Sequence, residues 1–138
     1  MATFVKFDHT IEAIVNEEID IFGTTDTFRV VIHSDAPVAA TDDELADLTQ
    51  ITGTGYTAGG EDIQNDATRS GGTVTMTAVD VVFTATAADW TAGRYVTMHD
   101  DTSTTDILFG GYDYASSFTL GNGETFTVDY GASVATFA

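Results

Sequence analysis

Thr27-Phe28-Arg29-Val30-Val31-Ile32-His33 is the stretch that decides the fold class. Phe28, Val30 and Ile32 alternate with Arg29, Val31 and His33 at the period of two that an extended chain imposes, so one set faces a core and the other faces away. Asp35-Ala36-Pro37 ends this strand, because Pro37 has no N–H to give a ladder and restricts the residue before it.

The same pattern recurs toward the carboxyl end. Residues 61–68 and 73–77 flank the turn Ser70-Gly71-Gly72 and read as a hairpin, with Val74 and Met76 alternating against threonines. Residues 79–84 form a denser apolar run, suited to a strand buried on both faces. Residues 94–99 and 106–114 read as two more strands across the polar loop Asp100-Asp101-Thr102-Ser103-Thr104-Thr105, and Gly110-Gly111 is expected to bend or bulge the second. Residues 117–120 and 124–130 read as the clearest hairpin, turning at Gly121-Asn122-Gly123. The spacing predicts about seven or eight short strands of an antiparallel β-sandwich or barrel-like domain. Threonine is the commonest residue and thirteen glycines punctuate the chain, which suits pleated, half-buried surfaces joined by tight turns.

One or two short helices are expected near the amino terminus, after a first strand over 3–7. Ile11, Ile14, Val15 and Ile19 stand at helical spacing behind Asp8 as a possible cap, although Glu17, Glu18 and Asp20 at the negative end predict early fraying. Thr41-Asp42-Asp43-Glu44 fits a capping box, with Leu45 and Leu48 following on one face. The run Gly53-Thr54-Gly55-Tyr56-Thr57-Ala58-Gly59-Gly60 is too glycine-rich for an element interior, and residues 85–92 form a loop around Trp90. The expected core is Phe28, Val30, Ile32, Val81, Phe83, Val96, Leu108, Phe118, Phe126 and Val128.

With 138 residues, 43% of them hydrophobic, the chain has material for one core, so 1–138 is read as a single domain. No apolar run approaches the roughly 18 to 20 residues of a membrane span, and residues 1–9 show no export signal. There is no cysteine, hence no disulfide and no thiolate metal site. Twenty-two acidic residues face only Lys6, Arg29, Arg69 and Arg94, a net charge of −18 that repels phosphate backbones and anionic lipid surfaces. Neither nucleic acid nor membrane is an expected partner. Added salt should screen this repulsion and favour both folding and self-association.

The search for chemistry yields little. His9, His33 and His99 show no metal-binding spacing, and none of the serines sits in a nucleophile elbow. Paired carboxylates are better explained as a solvated acidic surface than as a hydrolase. Asp100, Asp101 and Asp106 supply oxygens for a hard cation but lack the residue order of a calcium loop. Gly53-Thr54-Gly55 and Gly59-Gly60 have no following Gly-Lys-Ser/Thr, so they are read as turns and not as a phosphate loop. Tyr56, Trp90, Tyr95, Tyr112 and Tyr114 are candidates for an aromatic sugar platform, with core packing the commoner use of such residues. The expectation is therefore no enzyme, no cofactor and no metal.

Several motifs stand in a fixed order: Phe22-Gly23 before Asp26-Thr27-Phe28-Arg29-Val30, Ala36-Pro37-Val38, Gly55-Tyr56-Thr57-Ala58-Gly59-Gly60, Asp80-Val81-Val82-Phe83-Thr84-Ala85, Gly111-Tyr112-Asp113-Tyr114, and Gly123-Glu124-Thr125-Phe126-Thr127-Val128-Asp129. In that order they resemble a family of small virion structural proteins of tailed bacteriophages, although the stretch 85–94 is shorter than its counterpart there. The resemblance implies a virion structural role and does not by itself say which part of the particle. A capsid decoration or cement protein on the outer head surface is the expected part, because such a subunit must be small, soluble, abundant and free of DNA affinity, which the acidic, cysteine-free, β-rich chain fits. That reading brings the major capsid protein as partner and a homo-oligomer, with a trimer expected by analogy to decoration proteins on local threefold axes. Alternatives are a tail, baseplate or fibre component, or a glycan-binding adhesion module contacting the host.

Overall fold

The computed structural model describes residues 3–22 and 25–138. Met1, Ala2, Thr24 and the Gly23 of the first motif lie outside the described residues. In chain order the elements are β1 (Thr3–Lys6), α1 (Thr10–Val15), β2 (Phe28–His33), a 3-10 turn over Leu45–Asp47, β3 (Glu61–Asp62), β4 (Asp66–Ser70), β5 (Thr73–Thr77), β6 (Val81–Thr84), β7 (Gly93–Asp100), β8 (Ile107–Phe118), β9 (Thr125–Val128) and β10 (Ala135–Phe137). The fold is mainly β and its paired strands are antiparallel, as the alternation predicts.

A five-stranded sheet in the order β1-β8-β7-β2-β3 makes one layer. A three-stranded sheet, β10-β5-β4, and a two-stranded ribbon, β6-β9, supply the facing layer, and no barrel closes among the described residues. The core between them joins Phe28, Val30, Ile32, Val96, Met98 and Phe109 of the large sheet to Met76 of β5 and to Val81, Phe83 and Val128 of the ribbon. Strand β2 sits next to the middle of the large sheet, paired with β7 along its whole length from Phe28 opposite Asp100 to His33 opposite Tyr95. That is why its alternation is the clearest in the chain.

The other face of β2 is not solvent. Val31 packs with Phe7, Leu48 and Leu108 in a second, smaller core, and His33 is also buried. The segment after Pro37 provides the cover. Its helical turn starts later than the capping box at Thr41 suggests: Glu44 is the cap, and the Asp47 carboxylate accepts from the backbone N–H groups of Asp43 and Glu44 at 3.0 and 3.2 Å. Helix α1 is likewise shorter than 8–19 and shows a different face. Thr10 and Ala13 are its buried residues, while Ile11 is 44% and Val15 73% exposed. The Thr10 hydroxyl donates to the Phe109 carbonyl at 2.8 Å, which fixes the helix rotation against the spacing of its isoleucines. His9, not Asp8, is the N-cap and offers no capping bond, and Glu17 leaves the helix at φ 60.

Four strand readings are corrected. The strand read over 61–68 is two, Glu61–Asp62 pairing with β2 in the large sheet and Asp66–Ser70 pairing with β5 in the small one. Strand β9 does not pair with 117–120; its partner is β6, with Phe126 opposite Phe83 and Val128 opposite Val81. The turn at Gly121 does exist, closed by Glu124 N–H to the Gly121 carbonyl at 3.0 Å, but the two arms meet through stacked Phe118 and Phe126 rings 4.2 Å apart and not through a ladder. Strand β6 is buried on one face only, with Val82 56% exposed, because nothing covers the outside of a two-stranded ribbon. Strand β8 slips register against β7 twice, between Asp113 and Phe118 and next to Gly110: Met98 faces Gly110 and His99 faces Leu108, so Phe109 is the extra residue there. Gly111 serves close approach, since a Cβ there would stand 2.1 Å from the Val96 carbonyl oxygen. The apolar carboxyl end is partly covered within the chain, as β10 pairs with β5.

Candidate functional site

Two places on the molecule gather features that packing alone does not use. The first is a trough between α1 and β10. Its larger part, about 770 Å³, is lined by Ile11, Ile14, Ile19, Ile21, Phe22 and Phe137, with Glu17, Glu18, Asp20 and Asp26 around them. A second part of about 560 Å³ continues past Ile11 and Phe137, which line both, to Phe4, Lys6 and Phe109. Residues Val134, Ala135, Thr136, Phe137 and Ala138 all line this second part. Consecutive residues of a strand point to opposite faces, so the three of β10 lining it together present an edge. Among the described residues β10 pairs only with β5, so its outer edge runs along an apolar trough.

The second place is the β7–β8 turn. The bulge at Phe109 stands opposite the step from Met98 to His99, and the His99 ring is fully buried. Its Nε2 lies 3.0 Å from the Gly59 carbonyl, which only accepts, so the proton sits on Nε2. Nδ1 then carries a lone pair; it has no hydrogen-bond partner and lies 3.7 Å from Asp106 Oδ1. Asp101 stands beside them, its Oδ2 held by Arg29 Nε at 2.9 Å. One ligand atom from each of His99, Asp101 and Asp106 falls within 4.8 Å of the other two, the one such trio among the described residues.

The acidic loop therefore converges differently from the reading based on Asp100, Asp101 and Asp106. Asp100 is buried and its carboxylate turns away, accepting from Thr102 N–H at 2.8 Å. Burial and the neighbouring Asp26 push its carboxyl pKa up to about 6. His99 takes the place of Asp100. Sequence spacing did not give the trio, because His99 and Asp106 are seven residues apart across a turn; the available signal was a histidine at the mouth of an acidic hairpin.

Among the described residues the other histidines have no second carboxylate beside them in such a trio. His9 Nε2 contacts the Leu108 carbonyl at 2.8 Å, and its Nδ1 makes no hydrogen bond but lies 2.9 Å from the Asp43 carboxylate. His33 donates from Nδ1 to the Asp35 carbonyl at 2.9 Å and accepts at Nε2 from the Thr97 hydroxyl at 2.8 Å. Burial holds its pKa below the ordinary value, with Asp35 opposing in part. A depressed pKa means that the folded form keeps the ring neutral while the unfolded chain takes up a proton. His33 thus contributes stability that is complete above about pH 6.5 and is lost as pH falls through its lower folded value. The His33 imidazole signal in an NMR titration is expected to turn over below pH 6.5; a midpoint above it would show that Asp35 outweighs burial.

The five aromatics do not form an open platform. Trp90 and Tyr95 are buried, and the Trp90 Nε1–H donates to the Thr54 carbonyl at 3.0 Å. Tyr56 meets Trp90 edge-on inside the core, with its hydroxyl accepting from Ile32 N–H. Tyr112 and Tyr114 are half-buried, and Tyr114 packs edge-on to Phe126. No protein-family model, curated protein or solved structure matches this chain.

Proposed function

We propose that this chain is a structural component of a tailed-phage particle, a decoration or cement subunit that seats on the outer head surface through the trough between α1 and β10. The single observation that carries the reading is that trough: an apolar channel walled on one side by a strand edge with no partner among the described residues. The occupant it fits is an extended, apolar segment of the major capsid protein, taken up as an added strand. Exposed Ile11, Phe22 and Phe4 provide pockets for alternate side chains, and the acidic rim favours lysine or arginine flanking that segment. The order of phage-like motifs supplies the biological setting, and the net charge of −18 favours a basic or neutral docking surface over another acidic one.

The test is reconstitution. Capsids lacking the chain are mixed with purified wild-type protein, Ile11→Asp and the control Val82→Asp, which alters an exposed valine of β6. Wild type and the control should bind at a copy number approaching that of the capsid subunit, and Ile11→Asp at least tenfold less. Rising sodium chloride should weaken the contact, since screening removes the attraction between acidic rim and basic flanks. Binding that survives Ile11→Asp unchanged, or a few copies per particle located on the tail, would sink the reading.

A further inference from the structure

We propose that His99 Nδ1, Asp106 and Asp101 form a binding site for a divalent first-row transition ion, with Zn²⁺ the best fit. The inference is independent of the docking trough.

The argument starts from the buried nitrogen. A fully buried imidazole whose Nε2–H is fixed by the Gly59 carbonyl offers one lone pair, and here that lone pair has no donor to meet. Asp106 Oδ1 stands 3.7 Å away, too far for a hydrogen bond and, for a neutral ring, lone pair against negative oxygen. A cation between them resolves the conflict. Nitrogen and oxygen ligands lie about 2.0 to 2.2 Å from Zn²⁺, so two ligands of one ion stand about 3 to 4 Å apart. The separation of His99 from Asp106 is within that range. Asp101 offers a ligand atom within 4.8 Å of both others, and because Arg29 holds its Oδ2, its other oxygen remains for the ion after a side-chain rotation.

The surroundings resemble those of a metal ligand. A ligating histidine ordinarily donates its second ring N–H to a carbonyl or carboxylate, which fixes the tautomer and the ring plane, and Gly59 does this for His99. The β8 bulge at Phe109 sets the local register that brings His99 opposite Leu108, and Asp106 turns at φ 53 immediately before β8. An imidazole with two carboxylates suits Zn²⁺ or Mn²⁺ better than Ca²⁺, which prefers six to eight oxygens. Water would complete the coordination on the exposed side, where both carboxylates are reached by solvent. The ion would tie the end of β7 to the start of β8 across their turn.

The experiment uses the full chain stripped with EDTA. Calorimetry with Zn²⁺, Mn²⁺ and Ca²⁺ should show one Zn²⁺ per chain, bound at least tenfold tighter than Ca²⁺. Melting temperature should rise with Zn²⁺, and a Co²⁺-loaded sample should give a visible absorption band with the His99 NMR signal shifted. Asp106→Asn should lower Zn²⁺ affinity at least tenfold without unfolding the protein, since this side chain is partly exposed. Asp43→Asn, which alters the histidine–aspartate contact of His9, should leave affinity unchanged. His99→Gln removes the nitrogen ligand but also a buried ring, so Asp106→Asn is the deciding variant. Only weak binding at many acidic sites, affinity indifferent to Asp106→Asn, or Ca²⁺ bound as tightly as Zn²⁺ would overturn the assignment.

Discussion

Phe28→Ala is expected to lower the stability of the isolated protein by about 3 to 5 kcal/mol, and its melting temperature by roughly 10 to 20 °C. The ring is fully buried at the start of β2, 5.4 Å edge-on from Phe109, and lies in the core shared by all three sheets. Truncation leaves a cavity that cannot collapse, because β2 is held by β7 on one side and by β3 on the other. A domain of this size has about 5 to 15 kcal/mol in total, so the variant approaches unfolding under ordinary conditions. Phe126→Ala is the informative comparison. Phe126 is half-buried and stacked on Phe118 at the end of the ribbon, so about 1 to 2 kcal/mol is expected from its partial burial. Chemical denaturation of both variants checks the order. Equal losses would mean that the ribbon is as integral to the core as the large sheet, contrary to the packing described.

What was legible in the sequence follows from how many faces of a strand are specified. Strands β2, β5 and β7 emerged near their observed bounds because alternation and tight turns such as Ser70-Gly71-Gly72 are local properties, whereas the run 61–68 divides into β3 and β4, which belong to different sheets. Strand β9 was placed with the wrong partner for the opposite reason. Its alternation marks a strand but not its neighbour, and the neighbour, β6, lies more than forty residues earlier. Helix α1 misled because Ile11, Ile14 and Val15 sit at helical spacing, yet a single hydroxyl bond from Thr10 fixes the helix so that Ile11 and Val15 face outward. Of the two, Ile11 lines both parts of the trough, so a residue that broke the sequence pattern is the one the docking proposal needs. The metal trio was half legible. Two of its carboxylates were visible as an acidic loop, whereas the histidine joined them only through the pairing of β7 with β8 and the Gly59 carbonyl behind its ring.

That same loop carries the second large effect, expected from Gly60→Ala, which should cost about 3 to 5 kcal/mol while Gly59→Ala costs about 1 to 2. Both glycines adopt left-handed backbone, φ 90 at Gly59 and φ 74 at Gly60, so an alanine pays a similar conformational penalty at either position. Their surroundings differ. A Cβ on Gly59 meets nothing within 4 Å, whereas one on Gly60 would stand 1.9 Å from the Val30 carbonyl oxygen and 3.0 Å from a Val31 methyl. Val30 cannot yield, since it is paired with Met98 of β7 and with Glu61 of β3 at once. The loop has to lift instead. Lifting it breaks the bond from Arg29 to the Gly60 carbonyl, 2.9 Å, and draws the adjacent Gly59 carbonyl away from His99. Gly60→Ala should therefore also weaken Zn²⁺ binding, through loss of the group that orients the His99 ring, and Gly59→Ala should weaken it far less. Denaturation and zinc calorimetry on the two variants read out both effects. Equal destabilisation would show that the loop does not press on β2 at Gly60, and the oriented histidine would then lose its support.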